Sequence, residues 1–233
     1  MKKDFRLKPP FFEIGPKSYL VGDEVLALAK AADAASKKYD VDIIFTTPVV
    51  DIRRVAEQTE RIFVFAPHMD PLRAGRGLAD VLPESLVAAG AVGVMLNHCE
   101  KPVTLDLLDK TIRRADEVGL ATIVCTDTIA QAAAVAHLSP NIIVAEPTEL
   151  IGTGQTSDEE YVRLSIEAVK GVNPAVYVLQ GAGISKGEDV YRVIYAGAEA
   201  TGSSSGVVKA PDRAKMIDEM IGAVRRAYND RNK

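Results

Sequence analysis

The stretch Ala121-Thr-Ile-Val-Cys-Thr-Asp-Thr-Ile-Ala-Gln-Ala-Ala-Ala-Val-Ala-His-Leu-Ser-Pro-Asn-Ile-Ile-Val-Ala145 decides the fold. It opens and closes on short β-branched runs, Ala121–Cys125 and Ile142–Ala145, joined by a segment that reads as a helix. Both runs are continuously apolar and do not alternate, as expected for strands of a parallel sheet buried on both faces. The same unit recurs outward in both directions. Further strands are expected at Phe11–Ile14, Val41–Phe45, Arg61–Ala66, Gly93–Asn97, Ala175–Leu179 and Ala198–Ser203, the last being the most polar. Between them, Asp23–Ala35 is rich in Ala, Leu and Lys, and Thr156-Ser-Asp-Glu159 is a capping box opening a helix through Val169. Ala214–Tyr228 carries Met216, Ile217, Met220, Ile221, Val224 and Tyr228 at helical spacing on one side. Eight strand-then-helix units predict an α/β fold, a closed (β/α)8 TIM barrel forming one domain over residues 1–233. An open doubly wound sheet is the rival, but no Gly-x-Gly-x-x-Gly follows the first strand, where Ile14 runs into Gly15-Pro16-Lys17.

Composition narrows the function. The 233 residues are 47% hydrophobic, enough for a sizeable core, and the net charge of −4 offers no basic footprint for nucleic acid. No apolar run approaches the length of a bilayer span, and Met1–Pro10 lacks an apolar signal core, so a cytoplasmic protein is expected with neither nucleic-acid nor membrane partners. Cys99 and Cys125 make no Cys-x-x-Cys pair and are expected as free thiols. No metal site is visible, and no cofactor is expected.

The chemistry gathers where strands end. Glu146 follows Ile142–Ala145 directly, and Pro-Thr-Glu-Leu-Ile-Gly-Thr-Gly154 behind it suggests a closable loop with unhindered backbone N–H groups. Lys17, Asn97-His98-Cys99-Glu100 and Cys125-Thr-Asp127 stand at other strand ends. Singly, each has a plainer explanation, such as a solvated turn lysine or a capping carboxylate. Together, a carboxylate, an imidazole and a cation are what proton transfer next to a carbonyl needs: removal of a carbon-bound proton, polarisation of the oxygens, and stabilisation of enediolate charge. The turns Gly152-Thr-Gly154, Gly181-Ala-Gly183-Ile-Ser185 and Gly202-Ser-Ser-Ser-Gly206 follow the last three strands, where barrels often cradle a phosphate. The ligand implied is small and phosphorylated.

With these residues in view, the chain resembles the triosephosphate isomerase family in its short archaeal-type form. The likeness is densest at Ala91–Glu100, Glu146–Gly154, Gly181–Val190 and Ser205–Ala210. It implies that Glu146 shuttles a proton between neighbouring carbons, that His98 acts on the two oxygens, and that Lys17 is a cationic substrate contact paired with Glu100. It further implies phosphate binding by Gly152, Gly183, Ser204 and Ser205, largely through backbone N–H groups. A neutral histidine, its pKa lowered by a helix N-terminus, is a worked case from triosephosphate isomerase itself; here that helix is expected to begin near Glu100-Lys-Pro102. The substrate implied is a small phosphorylated sugar, by default dihydroxyacetone phosphate and D-glyceraldehyde 3-phosphate.

The chain also departs from the family. Gly15-Pro16-Lys17 stands where Asn-x-Lys is usual, so an asparagine lining the substrate site is replaced by glycine. Gly77-Leu78-Ala79-Asp80 replaces a Thr-Gly that reaches into a neighbouring subunit, and Pro67 stands where glutamine is common. Two alternatives follow: an isomerase of a four-carbon ketose phosphate such as erythrulose phosphate, using room left at Gly15, or a non-catalytic barrel that binds a small phosphorylated ligand. Leu72 and Leu78 are awkward to leave in water, and with the family's habit they predict a homo-oligomer, dimer or tetramer.

Overall fold

The computed structural model describes residues 6–150, 159–181 and 183–233. Eight parallel strands close on themselves in sequence order: β1 (Phe11–Ile14), β2 (Ile43–Thr46), β3 (Phe63–Ala66), β4 (Gly93–Leu96), β5 (Ala121–Thr126), β6 (Ile142–Ala145), β7 (Tyr177–Gln180) and β8 (Ala200–Ser203). The seam that closes the ring pairs Glu13 of β1 with Gly202 of β8. This is the (β/α)8 barrel expected from the sequence.

Alternation along each strand sorts side chains between two apolar regions. Phe11 joins Ile44, Phe63, Phe65, Ile123, Ile142, Val144 and Leu179 inside the barrel. Phe12 and Ile14 face outward into a larger layer with Val25, Ala29, Ile221 and Val224 of the surrounding helices. Both faces of the strands are buried, hence the unbroken apolar runs.

The helices are α1 (Asp23–Tyr39), α2 (Ile52–Gln58), α3 (Pro83–Ala89), α4 (Leu105–Val118), α5 (Ile129–Ala136), α6 (Glu159–Val172), α7 (Gly187–Tyr195), the short α8 (Ser205–Val208) and α9 (Arg213–Arg231). Helix α1 runs four residues beyond the expected Ala35. Lys37 and Lys38 sit in its last turn, where cations suit the exposed carbonyls, and Asp40 in the left-handed conformation ends it. On α9, Ile217, Met220, Ile221 and Val224 are buried, while Met216 and Tyr228 are half-buried at the edge of the stripe. Thr104, Thr128 and Asp212 cap α4, α5 and α9 by accepting N–H bonds from Leu107, Gln131 and Lys215. The Thr156–Glu159 capping box falls partly outside the described residues, and the helix after it begins at Glu159 and ends at Val172.

Strands β2, β3, β7 and β8 each begin two residues later than expected. The apolar residues ahead of them, Val41, Ile62, Val176 and Ala198, are buried in the turns entering the barrel and not in its ladder. Among the described residues no helix is long and apolar enough to cross a membrane.

Candidate active site

A cavity of about 870 Å³ opens at the C-terminal mouth of the barrel. Lys17, His98, Glu100 and Glu146 line it together with Gly183, Ser204 and Ser205. Seven of the eight residues singled out in the sequence thus meet around one space; Gly152 lies outside the described residues.

Lys17 follows β1 with φ of 48°, a left-handed turn that swings its side chain over the mouth. Its Nζ donates to Glu100 Oε1 at 3.0 Å. Burial alone pushes the lysine pKa down, but the hydrogen bond and charge of Glu100, with the Glu146 carboxylate behind them, raise it above its ordinary value. The same bond outweighs burial at Glu100 and holds that carboxyl below its usual range. Both groups are therefore charged at neutral pH.

Asn97 and His98 follow β4 directly. Asn97 adopts φ of 57°, and its side chain ties two elements: Nδ2 donates to the Cys125 carbonyl at 2.9 Å, and Oδ1 accepts from Val103 N at 3.1 Å. That clamp fixes where the imidazole emerges. The backbone N–H of Glu100 donates to His98 Nδ1 at 3.1 Å, so in the neutral ring the proton sits on Nε2. Burial, then the nearby Lys17 charge, lowers the histidine pKa, with Glu100 opposing. The donor does not belong to a helix N-terminus: α4 starts at Leu105, three residues beyond the expected Glu100-Lys-Pro102, and residues 99–101 lie in a turn closed by Lys101 N to His98 O at 2.7 Å. An oriented amide from this turn, and not a helix end, faces Nδ1, with Cys99 Sγ 3.7 Å from the same nitrogen.

Glu146 leaves the end of β6, its N–H bonded to the Thr126 carbonyl at 3.0 Å. The next residues are anchored by Asp127, whose Oδ1 accepts from Thr148 N at 2.7 Å. A Cβ at Gly181 would stand 2.9 Å from Glu146 Cβ and 3.0 Å from its Cδ, so only glycine leaves the carboxylate its place. At the opposite wall, Ser204 Oγ donates to the Gly15 carbonyl at 2.6 Å and Ser203 Oγ to the Ile184 carbonyl at 2.8 Å. The hydroxyls of Ser203 and Ser204 are thus tied to the scaffold, and Gly183 (φ 72°), Ser204 and Ser205 line this side of the cavity.

Sequence reasoning missed the floor apart from Cys125. Glu13, Thr46, Met95, Cys125, Val144 and Leu179 form it, and Glu13 is a carboxyl among apolar neighbours. Glu13 is legible as a strand residue but not as a site residue, because its setting depends on glycines at Gly15 and Gly202 that strand pairing brings beside it. A Cβ at Gly15 would lie 3.1 Å from Glu13 Oε1, so the Glu13 carboxyl borders the space that this glycine leaves. Leu78 is fully exposed at the tip of the loop between Asp70 and Val81, whose ends are tied by Val81 N to Asp70 Oδ2 at 2.8 Å; Leu72 is half-buried. Among the described residues no group of three or more His, Cys, Asp or Glu could hold a metal ion.

A closed parallel barrel whose C-terminal mouth gathers a carboxylate, an imidazole and a lysine beside glycine and serine turns defines an α/β-barrel of the sugar-phosphate isomerase kind. A family model described as Triosephosphate isomerase matches residues 16–220. Curated relatives named triosephosphate isomerase include that of Methanothermus fervidus, 40% identical over 217 residues, covering 91% of this chain and 97% of the relative. That of Methanosarcina barkeri is 39% identical with the same coverage, and that of Saccharolobus solfataricus is 34% identical over 96% of this chain and 100% of the relative. The chain belongs to the triosephosphate isomerase family.

Proposed function

We propose that this protein interconverts an aldose phosphate and a ketose phosphate by 1,2-proton transfer through an enediolate, with dihydroxyacetone phosphate and D-glyceraldehyde 3-phosphate as the pair. In this reading Glu146 takes a proton from C1 of the ketose, and the C–H electrons form the C1–C2 double bond as charge moves to the C2 oxygen. The Nε2–H of His98 donates to the substrate oxygens and carries protons between them, Lys17 stabilises the negative charge, and Glu146 returns its proton to C2. Glu100 holds Lys17 in place. Backbone N–H groups of Gly152, Gly183, Ser204 and Ser205 hold the phosphate, and the segment after Glu146 excludes water from the enediolate.

The observation that carries the reading is the neutral-ring geometry at His98. A ring whose Nδ1 is occupied and whose pKa is depressed keeps one N–H donor, on Nε2, in a cavity that a lysine and a carboxylate also line. A phosphate-binding barrel without turnover needs none of the three. The Glu13 carboxyl beside Gly15 supports the three-carbon pair over a four-carbon ketose phosphate, since it borders the space a longer chain would use there. Assaying both substrate classes, with solvent deuterium as a probe of proton exchange, tests the reading; turnover confined to four-carbon substrates would overturn its three-carbon part.

Residues 1–233 form a single domain in this reading, located in the cytoplasm. The protein works as a homo-oligomer, dimer or tetramer, supported by exposed Tyr19, Val21, Val50 and Leu78 at or near the mouth. Sedimentation as a monomer at micromolar concentration would contradict assembly.

A further inference from the structure

The barrel floor holds a carboxyl that the proton transfer above does not use. Glu13 and Gly15 point to the same side of β1, and Glu13 pairs in register with Ile44 of β2 and Gly202 of β8. A Cβ at Gly202 would lie 3.0 Å from Glu13 Cβ and 3.2 Å from its Oε2, and one at Gly15 would lie 3.1 Å from Oε1. Both flanks of the carboxyl are thus glycines, and a side chain at either would press on Glu13. Glu13 Oε1 is enclosed and has no hydrogen-bond partner, and neither has Oγ1 of buried Thr46, the next polar group on the floor. A buried polar atom left unmet costs about 1–3 kcal/mol. If the position served only to fill the floor, an aliphatic residue like Val144 or Leu179 beside it would avoid that cost.

We propose that Glu13 is a specificity-determining substrate contact: its carboxylic acid O–H donates to the oxygen at the unphosphorylated end of the sugar phosphate, with Thr46 as a second hydrogen-bond partner. The proposal rests on the isomerase reading above. It gives the departure at Gly15 a chemical meaning, because a neutral acid has the shape and donor capacity of an amide. A carboxyl arriving from two residues earlier on β1 supplies, from below, the kind of group absent at Gly15.

The surroundings keep the acid protonated. Burial pushes its pKa up to about 7, Glu146 of β6 adds to the rise, and Thr46 of β2 and Lys17 after β1 pull the other way. Thr46 is near enough to matter, yet no hydrogen bond of acceptable geometry joins the two. From β5 the facing group is the Cys125 thiol, itself pushed well above its usual range and therefore uncharged; β8 contributes Gly202, which has no side chain to charge. Above about pH 7 the floor gains a second anion and loses its donor, so substrate use should decline on the alkaline side.

The test compares wild type, Glu13→Gln and Glu13→Leu in kcat and KM for D-glyceraldehyde 3-phosphate from pH 5.5 to 9, alongside the affinity for inorganic phosphate. Wild type should lose kcat/KM as pH rises through about 7. Glu13→Gln should flatten that limb, and Glu13→Leu should lose kcat/KM about tenfold or more while binding inorganic phosphate normally. An unchanged alkaline limb in Glu13→Gln overturns the proposal even if Glu13→Leu fails to fold; so does a Glu13→Leu variant with wild-type kcat/KM. If wild type turns over neither three-carbon nor four-carbon sugar phosphates, the isomerase reading fails separately. Glu13 is then judged by the preference for glycerol 3-phosphate over inorganic phosphate: its loss in Glu13→Gln or Glu13→Leu supports the contact, and its persistence in both overturns it.

Discussion

The backbone N–H of Glu100 points at Nδ1 of His98 across 3.1 Å and so places the proton of the neutral ring on Nε2. An imidazolium could not accept this bond, since both ring nitrogens would be donors. Burial and Lys17 act in the same direction. His98 should therefore titrate below the ordinary histidine value of 6.5. Nitrogen-detected NMR should find the Nε2–H form at pH 7, and a charged ring at that pH would be inconsistent with this bond.

Gly181 and Glu146 are coupled by space. An added methyl would overlap the Glu146 side chain, so Gly181→Ala should move the carboxylate or strain the end of β7. The expected cost is about 1–3 kcal/mol of stability. A drop in kcat of about a hundredfold should accompany it, since a displacement near 1 Å has that effect on an oriented base. Denaturant melts and steady-state rates on the same preparation check both.

Removing the carboxylate from the Lys17–Glu100 pair should affect catalysis and hardly touch stability. Glu100 is largely exposed, and exposed pairs contribute about 0–1 kcal/mol. Glu100→Gln should leave the melting temperature nearly unchanged, lower the Lys17 pKa by removing its principal raising partner, and weaken turnover by loosening the lysine. Equal losses in stability and activity would mean that the pair is mainly structural.

Glu13 ties stability to pH with a definite sign. Its folded-state pKa of about 7 lies above the ordinary 4.5, so the native state holds the proton more tightly than the unfolded chain. The resulting stabilisation is complete below about pH 4.5 and is lost as pH rises toward 7. The span corresponds to roughly 3 kcal/mol at most. Glu13→Gln cannot lose a proton, so its advantage over wild type should grow between pH 5 and 8 in thermal melts. A constant difference across that range would show that Glu13 does not titrate as a buried acid.

Much of this was legible along the chain, for identifiable reasons. Strands such as Ile142–Ala145 face apolar layers on both sides and leave unbroken apolar runs, so eight of them and their closure could be read directly. Lys17, His98, Glu100 and Glu146 stand at strand ends, which a barrel necessarily brings to one mouth. What escaped depends on contacts across strands. The delayed start of α4 follows from a turn that sends the Glu100 amide to His98, and no local propensity marks it. The role of Glu13 as floor follows from two glycines, one of them 189 positions away in sequence (202 − 13) and adjacent only through the β1–β8 seam. Gly15 by itself looked like vacated space.

The most direct measurement is isomerisation of dihydroxyacetone phosphate in deuterated water by wild type and Glu146→Gln, followed by proton NMR. Wild type should form D-glyceraldehyde 3-phosphate and place solvent deuterium on the carbon that receives the proton. Glu146→Gln should lose both by a factor on the order of 10²–10⁴, the contribution of a positioned general base. Turnover and deuterium incorporation that survive unchanged in Glu146→Gln would contradict the assignment of Glu146 as the base.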